Sequence, residues 1–153
     1  MLSAYTILKF IHIAAAIGWI GGGIMLLMLI QQARNSGNAT EMANLLGRSE
    51  ALGKKFFAPM SVVVLLAGIG MAIIGGLFAA PWVSFGFLGI FVSAGLGMGY
   101  LTPKGGQLKA LVEQHGLNHP EVKRLGDQMM LVSRIDTVIL MLVVAAMVLK
   151  PGY

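Results

Sequence analysis

The sequence predicts an all-α fold: a four-transmembrane-helix bundle running up-down-up-down, with the N- and C-termini on the outer side of the membrane. Three observations predict it. Hydrophobic residues make up 57% of the 153-residue chain and charged residues only 11%. The apolar residues come in long runs, not in the one-sided stripes of a soluble helix or the alternation of a half-buried strand. Each run, taken as helix with its flanks, comes near the roughly 20 residues that cross a hydrocarbon core of about 30 Å. The chain therefore reads as a single integral membrane domain, 1–153, with spans at about 5–30, 56–79, 82–101 and 129–149.

The first span organises the rest, because Phe10 to Ile30 holds no acidic or basic group except the imidazole of His12. An ionisable side chain at membrane depth is costly and marks a function by default. The competing reading is a histidine that snorkels or bonds a nearby backbone carbonyl. At about 100° per residue, Lys9, Ala15, Ala16, Trp19, Gly22 and Gly23 all lie within about 80° of His12 on a helix. That stripe combines a cation, an imidazole, a broad ring and small residues. Neutral imidazole is a good axial ligand for haem iron, and small residues let a flat macrocycle approach the backbone. Lys9, one turn nearer the helix start, suits a propionate. Trp and small residues also serve ordinary membrane-helix packing, so both readings stay open. The apolar run is too long for a cleaved signal peptide and is expected to persist as a span.

Span one ends at Gln31, Gln32 and Arg34, and Asn35 to Lys55 is polar. NSGN at 35–38 reads as a turn and a helix cap. Thr40, Glu41, Met42, Leu45 and Leu46 have the partial amphipathic spacing of a short helix. Span two carries Pro59 in its first turn and Gly68, Ala72 and Gly76 at intervals of four. Ala80-Pro81-Trp82 makes a tight uncharged turn into span three, where Gly89, Ser93 and Gly97 repeat the interval and Gly95 with Gly99 adds another. Such spacing lets helices approach closely, so spans two and three are expected to pair as a close antiparallel hairpin. Thr102 to Gly106 reads as the end of span three and the start of a polar loop reaching about Gln128. His115 and His119 lie in that loop. Their interval of four could ligate a metal only on a helix, which Gly116 and Pro120 oppose.

The uninterrupted apolar run of span four, Thr137 to Leu149, is too short to cross a membrane and must be extended back to about Met129. This brings Arg134 and Asp136 into its first turns as intramembrane charges. Positions two apart point about 200° apart, so they do not face each other. Arg48, Lys54 and Lys55, entering at the same membrane face, are candidate partners for Asp136, and snorkelling to water is the alternative.

The chain has 11 Lys and Arg against 6 Asp and Glu, a net charge of +5. Beside hydrophobic spans this excess reports orientation and contact with anionic lipid, not nucleic acid. Arg34, Arg48, Lys54 and Lys55 cluster between spans one and two, and Lys104, Lys109, Lys123 and Arg124 between three and four. The turn between two and three has no charge. Both long loops are thus expected to be cytoplasmic in a bacterial-type inner membrane, with His12 near the outer face and Asp136 near the inner. No cysteine is present, which excludes disulfides, thiolate metal sites and covalent haem attachment.

LKFIH at Leu8 to His12, with Trp19 and Gly22 and the ending AMVLKPG at Ala146 to Gly152, resembles a family of small four-span predicted integral membrane proteins with no assigned function. The Lys9, His12, Trp19 pattern also resembles the opening helix of the integral-membrane protoporphyrinogen oxidases and, more loosely, of copper-resistance D-type proteins. The oxidase resemblance implies haem binding at His12 with Lys9 and Trp19 beside it. The oxidases also open their third span with a basic, histidine-containing motif, where this chain has PWVSFGFLGIF and Trp82 alone, so porphyrinogen oxidation is not implied.

The expectation is a b-type haem-binding membrane protein in electron transfer or porphyrin-related redox chemistry, with His12 as iron ligand. Lys9, Trp19, Gly22, Gly23 and Met147 complete the candidate cofactor site. Met147 enters because it lies three residues inside Lys150, as His12 lies three inside Lys9, and a thioether can be the second axial ligand. Packing against lipid or neighbouring helices is the ordinary role of such a methionine, and a five-coordinate haem or paired His12 side chains from two protomers are the alternatives. Two further classes are carried: a non-catalytic accessory subunit of a larger membrane complex, and copper binding or transport through His12 and the 11 methionines. The expected partners are the lipid bilayer and either further copies of the chain or a larger complex.

Overall fold

The structure, a computed structural model, describes residues 3–152. Six α-helices follow in order: α1 (Ala4–Asn35), α2 (Ala39–Leu52), α3 (Ala58–Gly75), α4 (Pro81–Ala94), α5 (Thr102–His115) and α6 (Pro120–Leu149). A wide, π-type turn at Gly53–Phe57 joins α2 to α3 without a break, and another at Gly95–Leu101 joins α4 to α5. The chain thus makes four long rods, each containing a stretch apolar enough to cross a membrane. The four-span all-helical architecture is the one expected.

The rods outrun the expected spans at the α2 and α5 end, and the second stops short at the other. The first helix continues through 35, not 30, and the second rod begins at 39, not 56, and ends at 75, not 79. The third continues past 101 to His115, and the fourth begins at 120, not 129. Of the expected loop from Thr102 to Gln128, only 116–119 is non-helical. Pro103 and the pair Gly105-Gly106 made that stretch read as a breaker. Pro103 lacks an N–H and conflicts with the carbonyl four residues back. The wide turn before it relieves this conflict: the Thr102 backbone N–H reaches back to the carbonyl of Gly97, and the Thr102 hydroxyl donates to the same oxygen at 2.9 Å. The second rod uses the same device, with the Ala58 N–H on the carbonyl of Gly53 just before Pro59.

The caps follow local chemistry. The Asn38 side chain accepts from the Glu41 N–H at 3.1 Å after a turn in which Gly37 has φ +71°, so NSGN is the expected cap. Gly76, at φ 64° and ψ 31°, ends α3 in a left-handed turn that a side chain would strain. At the far end of the chain the Lys150 ammonium stands 5.3 Å from the centre of the Trp82 ring, which fastens the last turn of α6 to the start of α4.

Packing differs from the expected hairpin. α3 packs chiefly on α1 and α4 on α6, with only modest contact between α3 and α4. The small residues do permit close approach, but toward these other partners. Gly70 faces Leu8 of α1, while Gly86 faces Met147 and Gly89 faces Val143, both of α6. A short turn obliges α3 and α4 to be neighbours in sequence. It does not decide which face of each is narrow. Beyond the spans, Ala33, Met42, Ala43, Leu46, Leu108, Val112 and Val122 form a buried core where α2, α5 and the start of α6 gather around the end of α1. The sides of the bundle remain apolar and exposed, as at Phe10, Ile17, Leu66 and Val148, and meet lipid.

Because a methyl group at Gly89 collides with the Val143 side chain, Gly89→Ala is expected to lower stability by about 1–3 kcal/mol. Val143→Ala in the same chain recovers most of the loss. Unfolding of the single and double variants in detergent measures the coupling, and purely additive losses would contradict this packing.

Candidate functional site

His12 is half-buried between α1 and α3. Its Nδ1 lies 2.8 Å from the carbonyl oxygen of Val64. Since a carbonyl only accepts, Nδ1 carries the proton, and in the neutral ring Nε2 keeps its lone pair. Gly68, one turn along α3, makes the approach possible: a Cβ there would lie 3.2 Å from His12 Cε1. The bond to a backbone carbonyl is the one the competing reading of His12 expected, and several neighbours of His12 on α1 serve packing. Ala15 is buried with Val64 and Ile90, with Ala16 and Trp19 packed against them. A Cβ on Gly22 would meet the Phe56 ring at 3.1 Å and the Phe57 ring at 3.3 Å, whereas around Gly23 there is open space. Lys9 is exposed. Met147 lies on Gly86 of α4, beside the buried Trp82 and Val83. The structure brings His12, Trp19 and Gly22 to one interface and holds Met147 at another.

His115 and His119 do not share a helix. Gly116, at φ +73°, separates them, His119 Nδ1 accepts from the Glu121 N–H at 3.4 Å to start α6, and the two rings stack with centroids 4.5 Å apart. Among the described residues no group of three or more His, Cys, Asp or Glu could hold a metal.

Arg134 and Asp136 open onto different spaces, as their spacing predicted. Arg134 borders a groove of about 410 Å³ with Gln31, Arg34, Asn35 and Asp127, where Arg34 pairs with Asp127 at 2.6 Å. Asp136 borders a half-open cavity of about 190 Å³ lined from all four rods. The basic residues expected to pair with it do not: Lys54 instead bridges to Glu50 at 2.8 Å. Arg48, Lys54 and Lys55 are exposed, where water solvates their charges at less cost than a bundle interior would. Its Oδ1 is buried and has no hydrogen-bond partner among the described residues, and the Ser93 hydroxyl, 3% exposed, faces the carboxyl group. Ser49, Ser61, Thr102, Ser133 and Thr137 also line this space. Sequence reasoning missed these hydroxyls because scattered Ser and Thr are ordinary in membrane helices. The available signal was the recurrence of Gly six residues before Pro, at Gly53 to Pro59 and at Gly97 to Pro103.

A family model described as predicted integral membrane protein (DUF2269) matches residues 6–151. No curated protein and no solved structure matches the chain.

If Gly68 serves to admit the imidazole, Gly68→Ala and His12→Ala each remove the same interaction. Each is expected to cost about 0.5–1.5 kcal/mol, the net worth of one hydrogen bond, and the double variant scarcely more than either. A double-mutant cycle in unfolding experiments tests this, and full additivity would show that the two residues act separately.

Proposed function

The chain belongs to this family of predicted integral membrane proteins, and from that premise we propose that it is a b-type haem-binding membrane protein with His12 as the iron ligand. The observation that supports the reading is the hydrogen bond from His12 Nδ1 to the Val64 carbonyl. Ligating histidines are commonly held in this way, with the far nitrogen donating to a carbonyl so that ring orientation and tautomer are fixed and Nε2 is left for the metal. The donor chemistry therefore fits a b-type haem. Lys9, exposed one turn away, would meet a propionate, and Trp19 and Gly23 would lie on the same side of α1.

The packing bears on the second ligand. Gly22 is covered by Phe56 and Phe57, and Met147 is engaged with Gly86. A five-coordinate iron, or a second His12 from another copy across a symmetric interface, fits this arrangement better than Met147 does. When bound, the haem supplies one-electron chemistry. The chain's own residues orient the imidazole, exclude water and set the depth of the site. By the distribution of basic residues, the α2 and α5 side is cytoplasmic and His12 lies toward the outside of a bacterial-type inner membrane.

Protein purified from haem-replete cells is expected to show a Soret band that sharpens and shifts on reduction. His12→Ala is expected to lose the band while keeping its helical circular dichroism, and Met147→Leu to leave the spectrum unchanged. A colourless wild-type protein that also fails to take up added hemin would overturn the reading. Because the chain has no cysteine, single-cysteine variants test the sidedness. Ala79→Cys is expected to react with a membrane-impermeant maleimide in intact cells, and Gln114→Cys only after the membrane is opened.

A further inference from the structure

We propose that the cavity around Asp136 binds a monovalent metal cation, of the Na⁺ or K⁺ class, inside the bundle. The inference starts from the direction of the hydroxyl protons. Ser49 donates to the carbonyl of Leu46 at 2.7 Å, Ser61 to that of Ala58 at 2.8 Å, Thr102 to that of Gly97 at 2.9 Å and Thr137 to that of Ser133 at 2.9 Å. All four line the cavity. A hydroxyl has one proton and two lone pairs, so each of these, its proton committed to its own helix, offers the cavity only acceptor capacity.

Asp136 adds a carboxylate whose Oδ1 is buried without a hydrogen-bond partner among the described residues. Among those residues no lysine, arginine or histidine lines the space. In an otherwise largely apolar lining, these hydroxyl acceptors and a half-buried carboxylate faced by Ser93 repel anions and leave the carboxylate without a counter-charge, an arrangement that is costly unless a cation neutralises it. Hard oxygen donors select alkali and alkaline-earth ions over the softer transition metals.

The charge count then selects the valence. The other acid at the cavity, Glu50, is already paired with Lys54 at 2.8 Å, which leaves one negative charge, Asp136, to be balanced. Divalent sites are normally built from more carboxylates, and no cluster of three acidic or imidazole ligands occurs among the described residues. The backbone is adapted as well. Both wide turns border the cavity through Gly53 and Gly97, and a methyl group at Gly53 would lie 3.6 Å from Thr102 Oγ1, so the two turns abut there. Wide turns of this kind are frequent at functional sites because they loosen the regular ladder.

The test is direct binding of ²²Na⁺, with competition by K⁺, to the purified full chain in detergent, choline chloride holding the ionic strength constant. The expected result is saturable, single-site uptake, weakened about tenfold or more by Asp136→Asn and several-fold by Thr137→Val. Should Asp136→Asn fail to fold, Thr137→Val and Ser61→Ala decide the question alone. Absence of saturable uptake by the wild-type chain would overturn the proposal. So would an Asp136→Asn isotherm equal to wild type, or stability that responds to pH and to no alkali cation, since the carboxyl would then simply be protonated.

Discussion

Hydrocarbon offers no hydrogen bonds, so every polar group at membrane depth must find its partner within the protein. That constraint governs this structure at each scale. It makes the spans helical, and it turns the hydroxyls of Ser61 and Thr137 back onto carbonyls of their own helix. It also sends the His12 ring across to Val64, because a protonated nitrogen facing lipid would go unsatisfied. The prolines obey it too. Pro59 and Pro103 each follow a wide turn in which the preceding N–H reaches five residues back, to Gly53 and Gly97. Continuity of the rods is kept where a simple count of helix breakers would end them.

Without a hydrophobic force between helices in lipid, packing relies on shape. Here narrow positions on one helix accept bulk from another: Gly22 takes Phe56 and Phe57, Gly70 takes Leu8, Gly86 takes Met147 and Gly89 takes Val143. The scheme pairs α1 with α3 and α4 with α6. The space left between the pairs, flanked by the two wide turns, is where the polar cavity lies. On the water side the rule changes. There the buried side chains are Met, Leu and Val around α2 and α5, which is ordinary hydrophobic burial.

How far the sequence disclosed this follows from the same distinction. Spans are legible because lipid demands long apolar runs, and Asn38 as a cap is legible because capping is local. The pairing of helices was not legible. Gly68, Ala72 and Gly76 announce a narrow face, but nothing in their spacing says whether α1 or α4 will occupy it. The α5 extension was hidden by Pro103, Gly105 and Gly106, whose usual meaning is overridden by the wide turn upstream and by burial of Leu108 and Val112 against α2. His12 and Asp136 stood out as ionisable groups in the wrong solvent. A backbone carbonyl was one expected partner for His12, but nothing in the sequence singles out that of Val64 on another helix, and the hydroxyls near Asp136 carry no sequence signal strong enough to point back to it.

The two polar features are linked through the second rod and α1. Val64 receives His12 on one side of α3, while Ser61, fewer than one helical turn earlier, lines the cavity that contains Asp136. On α1, Trp19 belongs both to the apolar cluster around Ala15 and Val64 and to the cavity wall. A shift of α3 along α1 would therefore disturb the imidazole and reshape the wall of the cavity that Asp136 borders, because the same few turns of helix contribute to both. The contacts that resist such a shift are rings and methyl groups seated on glycines, which tolerate little displacement before they collide. Rigidity at the α1 and α3 interface thus keeps His12 on Val64 and holds one side of the polar cavity in place, within a bundle whose outer surface is given over to lipid.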